Sequence, residues 1–426
     1  MQVRRTFWGV LFVLLGATLG AILTRSGVYY RLIYLSILLI IVSWIWARLS
    51  VINTQVDRTT RGLRQQLGSV FEEQFTVTNQ FPLTKPWIEV EDASGLAASR
   101  SMRVLSWLRA QSSRNYSNYT LLSRRGEYAL TPTFLFSGDP FGLFAYKKTL
   151  CSNDRLMVLP HLYDIQKFPV PSGNLPGGAA VRRRTPEVEP PRAASVREYA
   201  PGDPLSRIHW PTTARRDRWM VKEFEQDPQS DVWILLDAHD EAHIDSEEGV
   251  IQDLDQMHLW WLHRTEYKLP KDTFEYAASI AGSIARYFSR SGQVVGFACA
   301  GNRRIVLSSE RGERQLNKIL ETLALLQPDG RMPLASLIEI QAANIPRGST
   351  VIIITSSVHK SVISGISSLI RRRLNPIVVL IDPASFGKYY GVETIVGGFQ
   401  SWKIPYVIVQ YGQDIKLALE KGFPGV

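Results

Sequence analysis

The sequence predicts a three-part chain: an N-terminal transmembrane helical hairpin, a small β-sandwich module and a C-terminal doubly wound α/β domain. Three observations carry this. Two uncharged apolar runs fall within the first fifty residues, period-two alternation dominates from about Phe71 to Leu159, and apolar strand-like runs alternate with helical patterns after Asp231. The 426 residues leave room for two or three domains at roughly 150 residues each. With 45% hydrophobic and 21% charged residues the chain can bury a core, which excludes a disordered tail protein and a coiled coil. Lys+Arg 49 against Asp+Glu 39 gives +10, a balance that favours anionic partners but does not select a fold. The two cysteines, Cys151 and Cys299, exclude a disulfide scaffold and a Cys-based zinc module and suit a reducing compartment.

The hairpin occupies residues 1–50. No charge interrupts Thr6 to Thr24, bracketed by Arg4, Arg5 and Arg25, and a second uncharged run spans Leu32 to Ala47, closed by Arg48. Each run is slightly short of the ~20 residues that cross a bilayer as a helix. Trp8, Tyr29, Tyr30, Trp44 and Trp46 extend them as an interfacial belt would, which places the spans at about 6–24 and 29–47. A cleaved signal peptide competes for the first run, but that run is long for a signal core and the second follows closely. Two buried core helices would be apolar along one stripe rather than on all faces. Arg4 and Arg5 before the first span, and Arg48, Arg58, Arg61 and Arg64 after the second, outnumber Arg25 and Arg31 between them. The positive-inside bias therefore predicts a multi-pass inner (plasma) membrane protein whose soluble domains lie in the cytoplasm.

Residues 50–64 read as an amphipathic or irregular connector. The β-sandwich-like module is expected over 65–165. Gln74 to Thr78 and Trp87 to Glu91 alternate apolar with polar, and short strands around Tyr119–Leu122, Tyr128–Leu130, Thr133–Phe136 and Leu156–Leu159 are separated by Gly126, Gly138, Pro140 and Gly142. Residues 166–230 form a Pro/Gly/Arg-rich linker followed by a strap of mixed charge and aromatic residues. The α/β domain spans 231–426. Val232 to Leu236 is a continuous apolar run, as for a strand covered on both faces. Phe274, Ala277, Ala278, Ala281, Ile284, Ala285 and Phe288 share a helix face behind an Asp272/Glu275 capping box. Strands at 294–298, 351–354, 377–381 and 406–410, with helical crossovers near 313–326 and 362–372, predict a mostly parallel sheet.

Motifs for common chemistries are missing. The chain has no G-x-x-x-x-G-K-[ST] loop, no G-x-G-x-x-G after a strand and no G-x-S-x-G. In His239-Asp240-Glu241-Ala242-His243 the Glu is displaced by one position from its place in a zinc-protease helix. Five acidic residues follow (Asp245, Glu247, Glu248, Asp253 and Asp255), so a solvated loop is the expectation. No metal and no cofactor are expected. The strap holds Arg197, Tyr199, Gly202, Asp203, Arg207, His209, Trp210, Thr213, Arg215, Lys222 and Glu223. An enzyme reading makes it a metal-independent hydrolase, with His209 near Asp203 as general base and Thr213 as nucleophile. The stronger reading is an ion-paired, hydrogen-bonded strap with no catalytic role. A nucleic-acid reading through Arg182 to Arg184 and Arg371 to Arg373 ranks third, and no specific nucleic acid is expected.

The stretch R-E-Y-A-P-G-D-P-L-S-R-I-H-W-P-T-T-A-R, running into V-K-E-F-E, resembles the signature of the domain of unknown function 58 family. So do R-R-G-E-Y-A-L-T-P (Arg124 to Pro132) and D-P-F-G-L-F (Asp139 to Phe144). These are bacterial membrane-anchored proteins often encoded beside MoxR-type AAA+ ATPases. The resemblance extends over nearly the whole chain and implies a von Willebrand factor A-like C-terminal domain. Such domains often hold a divalent ion through D-x-S-x-S after the first strand. Here Asp237 keeps the leading position, His239 and Glu241 replace both hydroxyl residues, and Thr355-Ser356-Ser357 stands where an Asp is common. The resemblance therefore implies a non-catalytic adaptor. Its partner would be a MoxR-type AAA+ ATPase acting in assembly or maturation of envelope proteins, with the lipid bilayer as a second partner. Binding at the carboxyl ends of the strands would involve Asp237, Asp240, Thr355 and Ser356.

Overall fold

The structure, a computed structural model, describes residues 2–24, 26–96, 101–150, 154–170, 193–199, 208–224, 231–244, 267–387 and 392–422. It divides into two compact units. One comprises 1–161 with 255–268 and 321–325; the other comprises 162–254, 269–320 and 326–426.

In the first unit, β1 (Gln2–Val3) leads into α1 (Arg5–Thr24) and α2 (Gly27–Val51). At about 1.5 Å per residue the 20 and 25 residues of these helices reach about 30 and 37 Å, enough to cross a bilayer. They are not core helices, since only 11% and 17% of their most apolar windows are buried. The buried side chains are mostly small: Ala17 and Ala21 on α1, and Ser36, Ser43, Ala47 and Ser50 on α2, joined by Val51 at the end of α2. Small residues allow close backbone approach, and a Cβ on Gly20 would stand 2.5 Å from the Tyr29 ring.

Eleven strands complete the described order up to residue 159: β2 (Thr54–Thr60), β3 (Arg64–Gln66), β4 (Val70–Asn79), β5 (Lys85–Asp92), β6 (Ser101–Leu108), β7 (Ser112–Leu121), β8 (Gly126–Ala129), β9 (Thr133–Gly138), β10 (Phe144–Leu150) and β11 (Arg155–Leu159) follow β1. They form a sheet ordered β1-β10-β9-β5-β6, a sheet ordered β2-β4-β7, and a small sheet β3-β11-β8. Val77 from the second sheet packs with Ile88, Val90, Leu105, Leu108 and Leu135 from the first, so alternation along each strand builds one shared core. Residues 50–64 are not a connector. α2 runs to Val51, and β2 begins three residues later and pairs antiparallel with β4 from Thr54↔Asn79 to Thr60↔Glu73.

A buried ion triad joins the two larger sheets. Arg58 on β2 pairs with Glu73 on β4 and, at 3.1 Å, with Asp92 on β5, and it donates to the Leu130 carbonyl. Burial pushes the Glu73 carboxyl up, against the pull of Arg58. Lys85 is also buried. Its ammonium donates to the Ile52 carbonyl at 2.7 Å and to the Thr54 hydroxyl, and burial, reinforced by the Lys148 charge, pulls it down to about 8.

The second unit contains β12 (Ala193–Glu198), α3 (Trp210–Arg216), β13 (Met220–Phe224), β14 (Val232–Leu236), α4 (Thr273–Arg290), β15 (Val295–Ala300), β16 (Arg304–Glu310), all but residues 321–325 of α5 (Glu313–Leu325), α6 (Leu334–Ala342), β17 (Thr350–Thr355), α7 (Ser361–Arg371), β18 (Asn375–Ile381), α8 (Glu393–Ser401), β19 (Tyr406–Val409) and α9 (Ile415–Glu420). A six-stranded sheet runs β16-β15-β14-β17-β18-β19, parallel except for the edge strand β16. β12 and β13 form a separate antiparallel pair.

Strand residues Trp233, Leu235, Val351, Ile353, Val378 and Leu380 share a core with Leu337 and Ile338 of α6, Ile366 and Leu369 of α7, and Ile395 and Phe399 of α8. Their neighbours in sequence, such as Ile234, Ile352 and Val379, are equally buried and point to the opposite face, where α4 lies against β14, β15, β17 and β18. Asp272 caps α4 by accepting from the Phe274 and Glu275 amides. The edge strand β16, and helices α6 and α8, are additions to the elements expected from sequence.

Candidate functional site

The sheet order reverses direction between β14 and β17, the position at which open α/β sheets leave a crevice at their carboxyl ends. A cavity of about 710 Å³ lies there, lined among others by Asp237, His239, Glu241, His359, Lys360 and Pro383. Asp237, one residue past β14, is buried and fully engaged. Its Oδ2 accepts from the Thr355 hydroxyl at 2.6 Å, and its Oδ1 accepts from the His239 amide at 3.1 Å. Its own amide donates to the Ile354 carbonyl, which continues the β14–β17 ladder.

The second layer of the site is His243. Its Nε2 lies 2.9 Å from the Asp237 carbonyl, and a carbonyl only accepts, so Nε2 carries the proton. Nδ1 lies 3.2 Å from the Thr273 hydroxyl, which itself accepts from the Ile244 amide. Ser356 donates to the Ala242 carbonyl at 2.6 Å. The segment expected to be a solvated loop is thus partly interior. Asp240–Ala242 forms one turn of 3-10 helix, its entry is fixed by the pairing of His239 with Gly330, and His243 packs edge-on against Phe274 at 4.8 Å. A hydrogen-bonding histidine on a buried turn resembles a polar loop in sequence, because the partners that hold it, Thr273 and Ser356, lie far along the chain.

The four sequence-selected residues of this region are brought to one place but not to one role. Asp237, Thr355 and Ser356 are buried in the network. Asp240 is exposed on the rim, with its Oδ1 accepting from the Glu241 amide. His243, His359 and Lys360 belong to the same cleft and were not among them. His359 and Lys360 lie in the loop between β17 and α7, at the carboxyl end of the strand, which is the signal that could have identified them.

This donor set does not fit a D-x-S-x-S cation site. His239 and Glu241 occupy both hydroxyl positions, whereas a hard cation needs several converging oxygen ligands, and each oxygen of Asp237 accepts one hydrogen bond, from a hydroxyl and from an amide. Among the described residues no three His, Cys, Asp or Glu side chains gather as a metal-binding group.

Among the described residues, the strap is held by backbone pairing and by an Arg218–Glu198 ion pair at 3.0 Å. β12 pairs with β13, Tyr199 donates its amide to the Trp219 carbonyl, and their rings meet edge-on at 5.4 Å. His209 is the N-cap of α3: its Nδ1 accepts from the Thr212 amide at 3.3 Å and lies 2.7 Å from the Thr212 hydroxyl. Thr213 Oγ1 accepts from the Met220 amide at 3.1 Å. These two side chains therefore have local structural roles, and Trp210 and Arg215 are exposed. Gly202, Asp203 and Arg207 lie outside the described residues, as do Arg182 to Arg184 and the acidic residues from Asp245 to Asp255; of Arg197, Lys222 and Glu223 only the backbone is described.

A family model described as "Protein of unknown function DUF58" matches residues 195–253, a stretch that runs from the strap through β14 to the cleft residues Asp237, His239 and His243. The chain is also similar to YeaD of Bacillus subtilis (strain 168), itself described as uncharacterized, with 23% identity over 295 residues. That match covers 66% of this chain and 64% of YeaD, so the chain spans just under two thirds of that relative. Both matches support the DUF58 family. Among solved structures, a CARDB domain from Pyrococcus furiosus aligns at 10% identity over 25% of this chain and 87% of that one, with a TM-score of 0.18. The sporulation control protein Spo0M of Bacillus subtilis aligns at 10% identity over 26% and 50%, with a TM-score of 0.16. Overlaps this small carry no argument about the fold.

Proposed function

We propose that this chain is a DUF58-type membrane-tethered adaptor without catalytic activity of its own, anchored by α1 and α2, with its soluble units in the cytoplasm. The second unit is read as a von Willebrand factor A-like domain whose cleft, above β14 and β17, is a protein-binding face. The partner is a MoxR-type AAA+ ATPase, by family resemblance, in assembly or maturation of envelope proteins, and the ATP chemistry belongs to that partner.

The observation that carries this reading is the state of Asp237. Its carboxylate is satisfied internally by Thr355 and the His239 amide, so the group that would start metal or acid–base chemistry is already engaged. Exposed groups of both signs, Asp240, His359 and Lys360, surround it. Such a rim suits recognition of a partner surface more than turnover of a small molecule.

The test is affinity capture of the tagged, detergent-solubilised full chain with and without ATP and Mg²⁺, followed by mass spectrometry. Recovery of an AAA+ ATPase that is lost in the rim variants Asp240→Lys and Lys360→Glu, and in Thr355→Val, supports the adaptor and its face. Recovery that none of these changes places the interface elsewhere on the chain. If no ATPase is recovered in either nucleotide condition, the partner assignment fails.

A further inference from the structure

The two helices meet the β module at one end of its sheets, and three turns converge at that end. β2 starts at Thr54, directly after α2, and pairs with Asn79 at the end of β4. The Asn79 side chain then ties two loops together: its Nδ2 donates to the Leu83 carbonyl at 2.9 Å, before β5, and to the Arg109 carbonyl at 3.0 Å, after β6. Lys85, opposite Leu108 in the sheet, reaches the Ile52 carbonyl at the base of α2.

The third turn is Asp139 to Phe144, between β9 and β10. The buried Asp139 accepts from the amides of Phe141 (3.0 Å), Leu143 (3.2 Å) and Phe144 (2.6 Å) and so shapes the turn. That turn holds the base of α1. The Arg4 amide donates to the Leu143 carbonyl, the Thr6 hydroxyl donates to the Gly142 carbonyl, and Phe7 packs on Phe144 at 5.4 Å. The Arg4 guanidinium lies over the Trp87 ring on β5.

Each turn presents one large apolar side chain to the outside. Leu83 is 52% exposed, Trp107 69% and Phe141 56%. Trp107 holds this position with a left-handed φ of 54°. The only acid in residues 80–84, 107–111 and 139–144 is Asp139, which is buried in its own turn, whereas Arg5 and Arg109 are exposed beside them. Exposed aromatic and apolar tips with basic residues around the bases of two bilayer-length helices form the side-chain set found at the headgroup boundary.

We propose that this end of the β module is a lipid-contacting footing, in which Leu83, Trp107 and Phe141 enter the headgroup–acyl boundary of an anionic bilayer and the exposed arginines meet its phosphates. The proposal rests on the reading that α1 and α2 cross that bilayer, and it adds a membrane contact made by the soluble module itself. The module then stands on the surface at several points and does not swing from the hairpin.

The experiment uses the full chain in vesicles of phosphatidylcholine and phosphatidylglycerol, in a Cys151→Ser, Cys299→Ala background. A single cysteine carries an NBD fluorophore at one of four sites: Phe141→Cys, Trp107→Cys, Leu15→Cys in mid-α1, or Arg61→Cys just past the far end of β2. Aqueous iodide and lipids bearing a nitroxide high in the acyl chain are the two quenchers. Labels at 141 and 107 are expected to be quenched by the nitroxide lipid and to be several-fold less sensitive to iodide than the label at 61. If 141 and 107 behave like 61 while 15 is lipid-quenched, the footing is overturned and the hairpin stands. If 15 also behaves like 61, the helices do not enter the bilayer and both readings fall.

Discussion

The two units bury charge in opposite ways. In the β module, Arg58, Glu73 and Asp92 are buried together, and the attraction of Arg58 for the two carboxylates opposes part of their desolvation. In the α/β unit, Asp237 is buried with no ion pair to it among the described residues and is held by dipoles: the Thr355 hydroxyl and the His239 amide. The triad lies inside the sandwich, where one cation, Arg58, answers two carboxylates. The Asp237 network lies at the wall of a cavity. Neutral dipoles hold a carboxylate in place without cancelling its charge, so its field still reaches that cavity. The difference separates a device that joins two sheets from one that presents a charged surface.

The comparison is broken most severely at Arg58. Replacing it with Ala leaves two buried carboxylates facing each other, and the loss should be about 3–5 kcal/mol. It is read as a lowered denaturation midpoint of the detergent-solubilised chain, whereas the apolar exchange Arg58→Met, Glu73→Leu, Asp92→Leu should recover much of it. An unchanged midpoint for Arg58→Ala would show that the triad is not a joint.

Lys85 sharpens the comparison, because it is a cation in the β module held by dipoles, as Asp237 is in the other unit. Its ammonium titrates at about 8 in the folded chain against 10.5 unfolded, so between these values the unfolded chain holds the extra proton. Stability therefore rises with pH across that window, by at most about 3 kcal/mol. Urea midpoints measured from pH 7 to 10.5 should climb in the native chain and stay flatter in Lys85→Met.

Smaller effects are expected at the cleft. Thr355→Val removes the one hydroxyl on Asp237 Oδ2 and should cost about 1–3 kcal/mol, the range for leaving a buried acceptor unsatisfied. A midpoint equal to the native one would mean that water or another donor replaces it. On the rim, Lys360→Glu should change stability by no more than about 0.5 kcal/mol, as for an exposed site. Any loss of partner capture in that variant is then a binding effect.

Legibility followed the direction in which side chains face. The helices α1 and α2 were readable because they are apolar all round, and β14, β17 and β18 because both of their faces are covered. β2 was not readable: its inward positions are Thr54, Val56, Arg58 and Thr60, and a charged residue at a core-facing position erases the period-two pattern. β6 carries exposed Met102, Val104 and Trp107 beside the buried Leu105 and Leu108, so its apolar residues do not by themselves mark the core face. At the cleft, Asp237 could be picked from its place after a strand. Its partner Thr355 was reachable by the same rule, but the role of His243 depends on Thr273, thirty positions away in sequence, and no local pattern reveals such a contact.

The junction between α2 and β2 has a mechanical consequence. Only Ile52 and Asn53 separate the helix from the strand. Asn53 is fixed at a left-handed φ of 52° with its carbonyl bonded to the Gln80 amide, and the Ile52 carbonyl is bound by Lys85. Such a joint has almost no torsional slack. In the proposed membrane-spanning reading, a helix of 25 residues could meet a change in hydrocarbon thickness by tilting, and a stiff joint would pass that tilt to the sandwich. Together with the proposed footing, the stiff joint would brace the tilt of α2, so that a thicker or thinner membrane is met by local deformation of the bilayer and not by re-aiming the module.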